Sequence, residues 1–179
     1  MTLSFVNIVK ELVFSGQESE VILLDDNFIR IYNKYFLDVF RLSYSYLLNE
    51  QEAEDTTQST FIKLYHHSDV LNKNDEDILK WLFRVAINIS KNHLLSIWYR
   101  KRVQVDNLDN NSTYNLNNNN LYLSLMELPS KYRIPIYLYY YAGYSIKEIS
   151  LIMKVKESTI KSRLLRGKKL LRIEMEVDL

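Results

Sequence analysis

Two stretches of this 179-residue chain hold several bases and no acid. Leu79 to Arg102 carries Lys80, Arg84, Lys91, Arg100, Lys101 and Arg102, and Ser158 to Arg172 carries Lys161, Arg163, Arg166, Lys168, Lys169 and Arg172. Residues 1–78 carry 14 acids against 6 bases, so the formal net charge of +1 hides a strong segregation. A solvated helix face is the ordinary reading of one basic run. Two such runs in an otherwise acidic or neutral chain point to a polyanion, because each neutralised phosphate of a nucleic acid releases condensed counterions. No comparable set exists for bond chemistry. The absence of Cys removes thiol nucleophiles, disulfides and zinc ribbons. His66, His67 and His93 lack the partners of a metal site or a catalytic base. The expectation is a protein that is not an enzyme and holds no metal or cofactor.

The second basic run needs an element to present it, and its surroundings supply one. A helix over Leu121 to Glu127 is followed by Leu128-Pro129 and by a helical stretch from Lys131 to Ala142, which Gly143 ends as a left-handed stop. Pro135 lacks a backbone donor, which is tolerable in the first turn and kinks a helix further in. Ser145-Ile146-Lys147-Glu148 is a capping box leading into Ile149, Ile152 and Met153. A turn at Lys154-Val155-Lys156 then separates this short helix from Ser158 to Leu171, where Ile160, Leu164 and Leu171 face inward and the bases fan outward. A bracing helix, a short turn and a basic second helix form the pattern of a helix-turn-helix, whose second helix enters the DNA major groove.

With only 3 Gly and 2 Pro, the chain suits long helices. Phe28, Ile31, Tyr32, Tyr35, Phe36, Val39, Phe40, Leu42, Tyr46 and Leu47 recur at helical spacing. A second helix begins near Glu50 to Asp55 and carries Ala53, Thr57, Phe61, Leu64 and Tyr65 on one side. His66 to Asp77 reads as a loop. The first basic run then forms a third helix from Ile78 to about Arg102, with Leu79, Leu82, Val85, Ala86, Ile89, Leu94 and Ile97 toward a core. Met1 to Asp26 offers a short helix at Phe5 to Phe14. Residues 103–120 are rich in Asn and too poor in apolar residues for a packed element. The fold class is therefore all-α: two small helical domains, 1–102 and 121–179, joined by a flexible linker over 103–120. No apolar run approaches the roughly 20 residues that span a bilayer, and no secretory leader is evident, so membrane insertion is not expected and a cytoplasmic location is.

Three blocks of residues resemble the sigma-70 family of bacterial RNA polymerase initiation factors, specifically the extracytoplasmic-function group that keeps only sigma regions 2 and 4. Ala53-Glu54-Asp55-Thr56-Thr57-Gln58-Ser59-Thr60-Phe61-Ile62-Lys63-Leu64-Tyr65 is similar to the helix that docks on core polymerase, with Asp55, Gln58 and Phe61 matching and Ser59 standing where Glu is usual. Trp81 to Asn92 resembles the minus-10 element helix. There Arg84 and Lys91 would meet backbone, Asn88 and Asn92 base edges, and the loop with Asn72 and Asn74 would shape a pocket for an unstacked base. Trp81 itself reads first as a core aromatic.

The third block joins Leu128 to Arg133, Gly143 to Ile149 and Ser158 to Arg166, and resembles the module that reads the minus-35 element. By position, Lys161, Ser162, Leu165 and Arg166 would contact bases, while Arg163 and Lys168 would meet phosphates. Lys154 stands where relatives often have Gly and Lys156 where they often have a Ser or Thr cap, a weaker turn by up to about 1 kcal/mol. The resemblance implies core RNA polymerase and promoter DNA as partners, with an anti-sigma factor as regulator. Two other readings compete with it: a helix-turn-helix regulator with no polymerase role, and an interaction protein whose basic faces bind an acidic partner.

Overall fold

The computed structural model describes residues 26–103 and 120–177. The expected helix at Phe5 to Phe14 and most of the Asn-rich linker lie outside the described residues. Those described form helices and the turns between them. In the first lobe these are α1 (Asp26–Leu47), α2 (Glu50–Tyr65), the single turn α3 (Ser68–Leu71) and α4 (Asp75–Val103). In the second they are α5 (Asn120–Glu127), α6 (Ser130–Ile136), a π-helical turn (Tyr137–Tyr141), α7 (Ile146–Met153) and α8 (Glu157–Val177).

The first lobe is a bundle of α1, α2 and α4. Phe28, Ile31, Val39 and Leu42 of α1 meet Phe61 and Leu64 of α2 and Ile78, Leu82 and Ala86 of α4, all buried. Tyr32 sets its ring edge-on to Phe61 with centroids 4.8 Å apart, a geometry favourable beyond the area buried. Asn49 starts α2 by accepting from the Glu52 backbone N–H at 3.0 Å. The expected loop over His66 to Asp77 contains α3, one turn too short to show a periodicity, and α4 begins at Asp75 rather than Ile78. Asn74 caps that start, its side-chain oxygen accepting from the Asp77 N–H at 2.9 Å. Arg30 and Lys34 of α1 both hold the Asp75 carboxylate.

In the second lobe Leu125, Ile134, Leu138, Ile149, Ile152 and Ile160 form the buried centre. The expected helix over Lys131 to Ala142 changes character. The α-helix stops at Ile136, just after Pro135, and the next turn is wider, with the Ala142 N–H donating to the Tyr137 carbonyl. Gly143 adopts φ +75, the left-handed stop expected of it.

The two lobes touch, and their buried residues form one continuous cluster. Among the described side chains, the expected stripe on α4 is therefore only part of what is buried, and Ile97 lies outside them. Phe83 and Ile87, outside that stripe, are buried, while Leu79, Val85 and Ile89 are half-buried. The reason is that α4 lies between the rest of its own lobe and α7: Phe83 packs edge-on against Tyr144, centroids 5.8 Å apart.

Candidate nucleic-acid interface

The capping box forms as its spacing predicts. Ser145 Oγ accepts from the Glu148 N–H at 3.3 Å, and the Glu148 carboxylate accepts from the Ser145 N–H at 2.9 Å. That carboxylate also accepts from Lys80 Nζ of α4 at 2.8 Å. The Lys80 and Ser145 hydrogen bonds hold the Glu148 pKa down to about 2. Lys154 ends α7 in the left-handed region, at φ 53 and ψ 49. Lys156, the residue before α8, offers its carbonyl to the Thr159 and Ile160 N–H groups.

Helix α8 turns Ile160, Leu164 and Gly167 inward at four- and three-residue spacing. Gly167 has to be small. A Cβ there would stand 2.5 Å from Ile136 Cδ1 and 3.3 Å from Tyr132 Cβ, so α6 seats directly on the α8 backbone. The opposite face presents Lys161, Ser162, Leu165, Arg166 and Lys168 to solvent, Leu165 at 73% exposure. An isolated leucine so exposed suits contact with a thymine methyl. Ser162 Oγ donates to the Thr159 carbonyl at 3.0 Å and would rotate to reach a base.

Arg163 is half-buried rather than outward, and its charge reaches Tyr46 of the first lobe. Two tyrosines flank this exposed face, and no spacing in the sequence marks them. Burial raises the Tyr132 pKa, but Arg166 and Lys131 beside the hydroxyl outweigh it, and the net shift is downward. Lys168 Nζ lies 5.8 Å from the centre of the Tyr140 ring.

On α4, Arg84, Asn88, Lys91 and Asn92 follow one another at i, i+4, i+7 and i+8 and share a stripe. Asn88, Lys91 and Asn92 are exposed, while Arg84 is half-buried with its Nε enclosed and without a hydrogen bond. Beside the stripe is an open cavity of about 400 Å³ lined by Tyr46, Lys91, Leu94 and Leu95. Asn72 ends α3 and is exposed. Asn74 is less free than expected, since both ends of its amide engage Asp77.

The three residues expected to meet polymerase do not share a surface. Asp55 is exposed and Gln58 half-buried, but Phe61 has no accessible area and lies against Tyr32 and Phe36. Phe61 therefore fixes α2 from within. Trp81 is half-buried against the core with its ring edge toward His67. Among the described residues no group of His, Asp and Glu could hold a metal ion.

Two helical lobes, each presenting a polar and basic helix stripe, one of them in a capped helix-turn-helix, give the chain the form of a DNA-binding protein. Residues 31–99 match Sigma-70 region 2 and residues 118–171 match Sigma-70, region 4. The chain belongs to the sigma-70 family of RNA polymerase sigma factors, in its extracytoplasmic-function group. It is 28% identical to the ECF RNA polymerase sigma factor SigW of Bacillus subtilis, covering 84% of this chain and 89% of that protein. It is 29% identical to the ECF RNA polymerase sigma factor SigM of the same organism, covering 79% and 91%. Its fold is similar to that of the sigma factor RpoE in complex with the anti-sigma factor NepR from Bartonella quintana. The TM-score is 0.64 at 20% identity, over 87% of this chain and 100% of that one.

Proposed function

We infer that this chain binds core RNA polymerase and directs promoter-specific initiation by reading two DNA elements. One observation carries the reading: each of two family-matched regions of a single chain bears its own exposed polar and basic helix stripe. In this assignment residues 1–102 serve core binding and the minus-10 element, 103–120 tether the lobes, and 121–179 serve the minus-35 element.

Arg84, Asn88, Lys91 and Asn92 would hold the opened nontemplate strand, with Asn72 and Asn74 at its edge. A melted strand needs cations for its phosphates and amides for its base edges. Lys161, Ser162, Leu165 and Arg166 would read the minus-35 bases, with Arg163 and Lys168 on the flanking phosphates. Asp55 and Gln58 would lie in the polymerase-docking face that Phe61 supports. The factor would perform no bond chemistry of its own; the polymerase supplies it. A regulator without a polymerase role is disfavoured by the match of residues 31–99 to region 2.

An anti-sigma factor is the expected regulator, since the sigma factor RpoE, of similar fold, is in complex with one. No described helix is long and apolar enough to cross a membrane. A cytoplasmic working place follows from the DNA and polymerase it would meet. The test is run-off transcription with core polymerase on a promoter library. Defined start sites with preferred sequences at two spaced elements are expected, and transcripts no different from core alone would overturn the reading.

A further inference from the structure

From Leu128 to Lys147 the chain holds no acid, and this stretch carries six of its 14 tyrosines. Three of the six stand in a row on the π-helical turn and are exposed, Tyr139 at 39%, Tyr140 at 53% and Tyr141 at 53%. Leu138 fills the core from this turn, and the three exposed rings do not. Packing therefore gives no reason for large rings at these positions, whereas phenols, with one apolar and one polar end, suit a contact surface. The turn is itself unusual: it widens just after Pro135, with the Ala142 N–H reaching back to the Tyr137 carbonyl at 3.1 Å, and π-helical turns are frequent at functional sites.

Gly167 decides what those rings stand beside. With no Cβ on α8 at that point, Ile136 packs onto the α8 backbone and brings the π-helical turn that follows it alongside Lys168. Lys168 Nζ lies 5.8 Å from the centre of the Tyr140 ring, and Tyr139 sets its ring edge-on to Tyr140, centroids 4.9 Å apart. Tyr141 pairs with Tyr137 instead, the two rings nearly parallel at 5.8 Å. Lys168 follows buried Leu164 by four residues, so it stands at the margin of the exposed face of α8. The major groove is about 12 Å wide, and an α-helix with its side chains is about 10–12 Å across. A helix seated there fills the groove from wall to wall, and groups fixed at the margin of its exposed face meet the phosphates that form the wall. Tyr139 and Tyr140 are such groups. A phenol O–H donates to a phosphate oxygen, and no carboxylate between Leu128 and Lys147 repels one.

We propose that Tyr139 and Tyr140 are DNA-backbone contacts of the helix-turn-helix lobe, their hydroxyls donating to phosphate oxygens at the edge of the major groove that α8 enters. Their role rests on the minus-35 reading under Proposed function and adds to it a contact of a different kind. Lys168 neutralises a phosphate and releases counterions; a phenol neutralises nothing, so its contribution does not depend on salt. A tyrosine also has fewer rotatable bonds to order than a lysine, and these two rings are already set against each other. The π-helical turn thus holds the register of α8 in the groove from outside the helix.

The test is promoter binding by the holoenzyme, with duplex binding by the chain alone measured beside it, for Tyr140→Phe, Tyr139→Phe and Tyr141→Phe at several salt concentrations. Each substitution removes one hydroxyl and keeps the ring, and melting temperatures establish that the fold is kept. Tyr140→Phe should weaken binding about three- to tenfold, alike on all single-base variants of the promoter, with the slope of log affinity against log salt unchanged. Tyr139→Phe should act in the same direction and Tyr141→Phe should have no effect. Uncharged methylphosphonates, placed one at a time around the minus-35 element, locate the partner: at one phosphate the native chain should lose affinity and Tyr140→Phe lose less. Equal binding by Tyr140→Phe and the native chain overturns the proposal. So does a loss confined to one base pair, a loss that Tyr141→Phe shares, or a loss in affinity for core polymerase alone, which would make the rings a protein-docking surface. If the chain does not bind polymerase, the initiation-factor reading fails while duplex binding still judges the tyrosines; if it binds no DNA in either setting, both fall.

Discussion

Arg133 donates from its buried guanidinium to the carbonyl of Ser45, 88 residues earlier in the chain, at the end of a helix in the other lobe. Four backbone carbonyls accept from that guanidinium. A cation suits that place, because the last carbonyls of a helix lack internal partners and carry its negative end. The planar fork of an arginine serves several carbonyls at once, which a lysine cannot do. Arg133→Lys should cost about 2 kcal/mol, and Arg133→Met about 3 or more, because it leaves buried acceptors without donors. For a chain of this size that is a fall in melting temperature of about 4 to 12 °C. A melting temperature within one degree of the native value in Arg133→Met would show that the carbonyls find other donors.

Glu148 gives the acid dependence a named origin. Its folded pKa, about 2, lies below the ordinary value of 4.5, held there by Lys80 and Ser145. A depressed carboxylate adds stability that is fully present above the unfolded value and drains away as pH falls from about 4.5 toward about 2, since the unfolded chain binds the proton first. Asp75, held at about 2 by Arg30 and Lys34, acts in the same direction over nearly the same range. Lys80, Ser145 and Tyr144 face Glu148, and Glu76 shares the Lys80 ammonium with it. Denaturant unfolding of Glu148→Gln should therefore show a shallower loss of stability between pH 4.5 and 2 than the native chain. Equal slopes would remove Glu148 from the account.

Much of this arrangement was legible in the residues, and the exceptions have physical causes. Ser145 and Glu148 declared their cap by type and spacing, because a capping box is local. The outward positions of α8 followed from Ile160 and Leu164 alone. Phe83 and Ile87 were missed because a periodic reading assigns each helix one buried face, and α4 is covered from two sides by elements distant in sequence. Asn74 looked like a free amide because its use as a cap depends on where α4 begins. Phe61 matched a docking motif, but a motif does not say which of its residues point outward. Arg133 stands within the Leu128 to Arg133 block, and nothing local shows that an arginine there will be buried.

Gly167 tests the close seating of α6 on α8. In an exposed helix interior, Gly→Ala usually stabilises by about 0.5–1 kcal/mol. Here the added Cβ would meet Ile136 Cδ1 at 2.5 Å and Tyr132 Cβ at 3.3 Å. Ile136 is itself buried, so its terminal methyl has little room to withdraw. Overpacking should reverse the sign and cost about 1 kcal/mol or more. A more stable Gly167→Ala chain would mean that the helices separate easily.

Lys154 predicts a change in the other direction. Its left-handed backbone at φ 53 is unfavourable for a residue with a Cβ, by about 1–2 kcal/mol. Lys154→Gly removes that strain but gives the unfolded chain more freedom, leaving a net gain of about 0.5 kcal/mol. Denaturant midpoints should rise with the slope of the transition unchanged. No rise would show that the lysine side chain stabilises the turn by another route.

Arg166 and Lys168 separate sequence reading from backbone holding on one helix face. Both are exposed on α8, and Tyr132 stands beside the first and Tyr140 beside the second. Arg166 reading a guanine through two hydrogen bonds would contribute about 1–3 kcal/mol of discrimination at one base pair. Arg166→Ala should then flatten preference at that position and leave the others intact. Lys168→Ala should weaken all sequences alike and reduce the slope of log affinity against log salt by about 1. Holoenzyme binding to a set of single-base variants of one promoter, at several salt concentrations, measures both effects together. If the two substitutions give the same profile across sequences, Arg166 is a phosphate contact, and specificity at the minus-35 element must come from Lys161, Ser162 and Leu165.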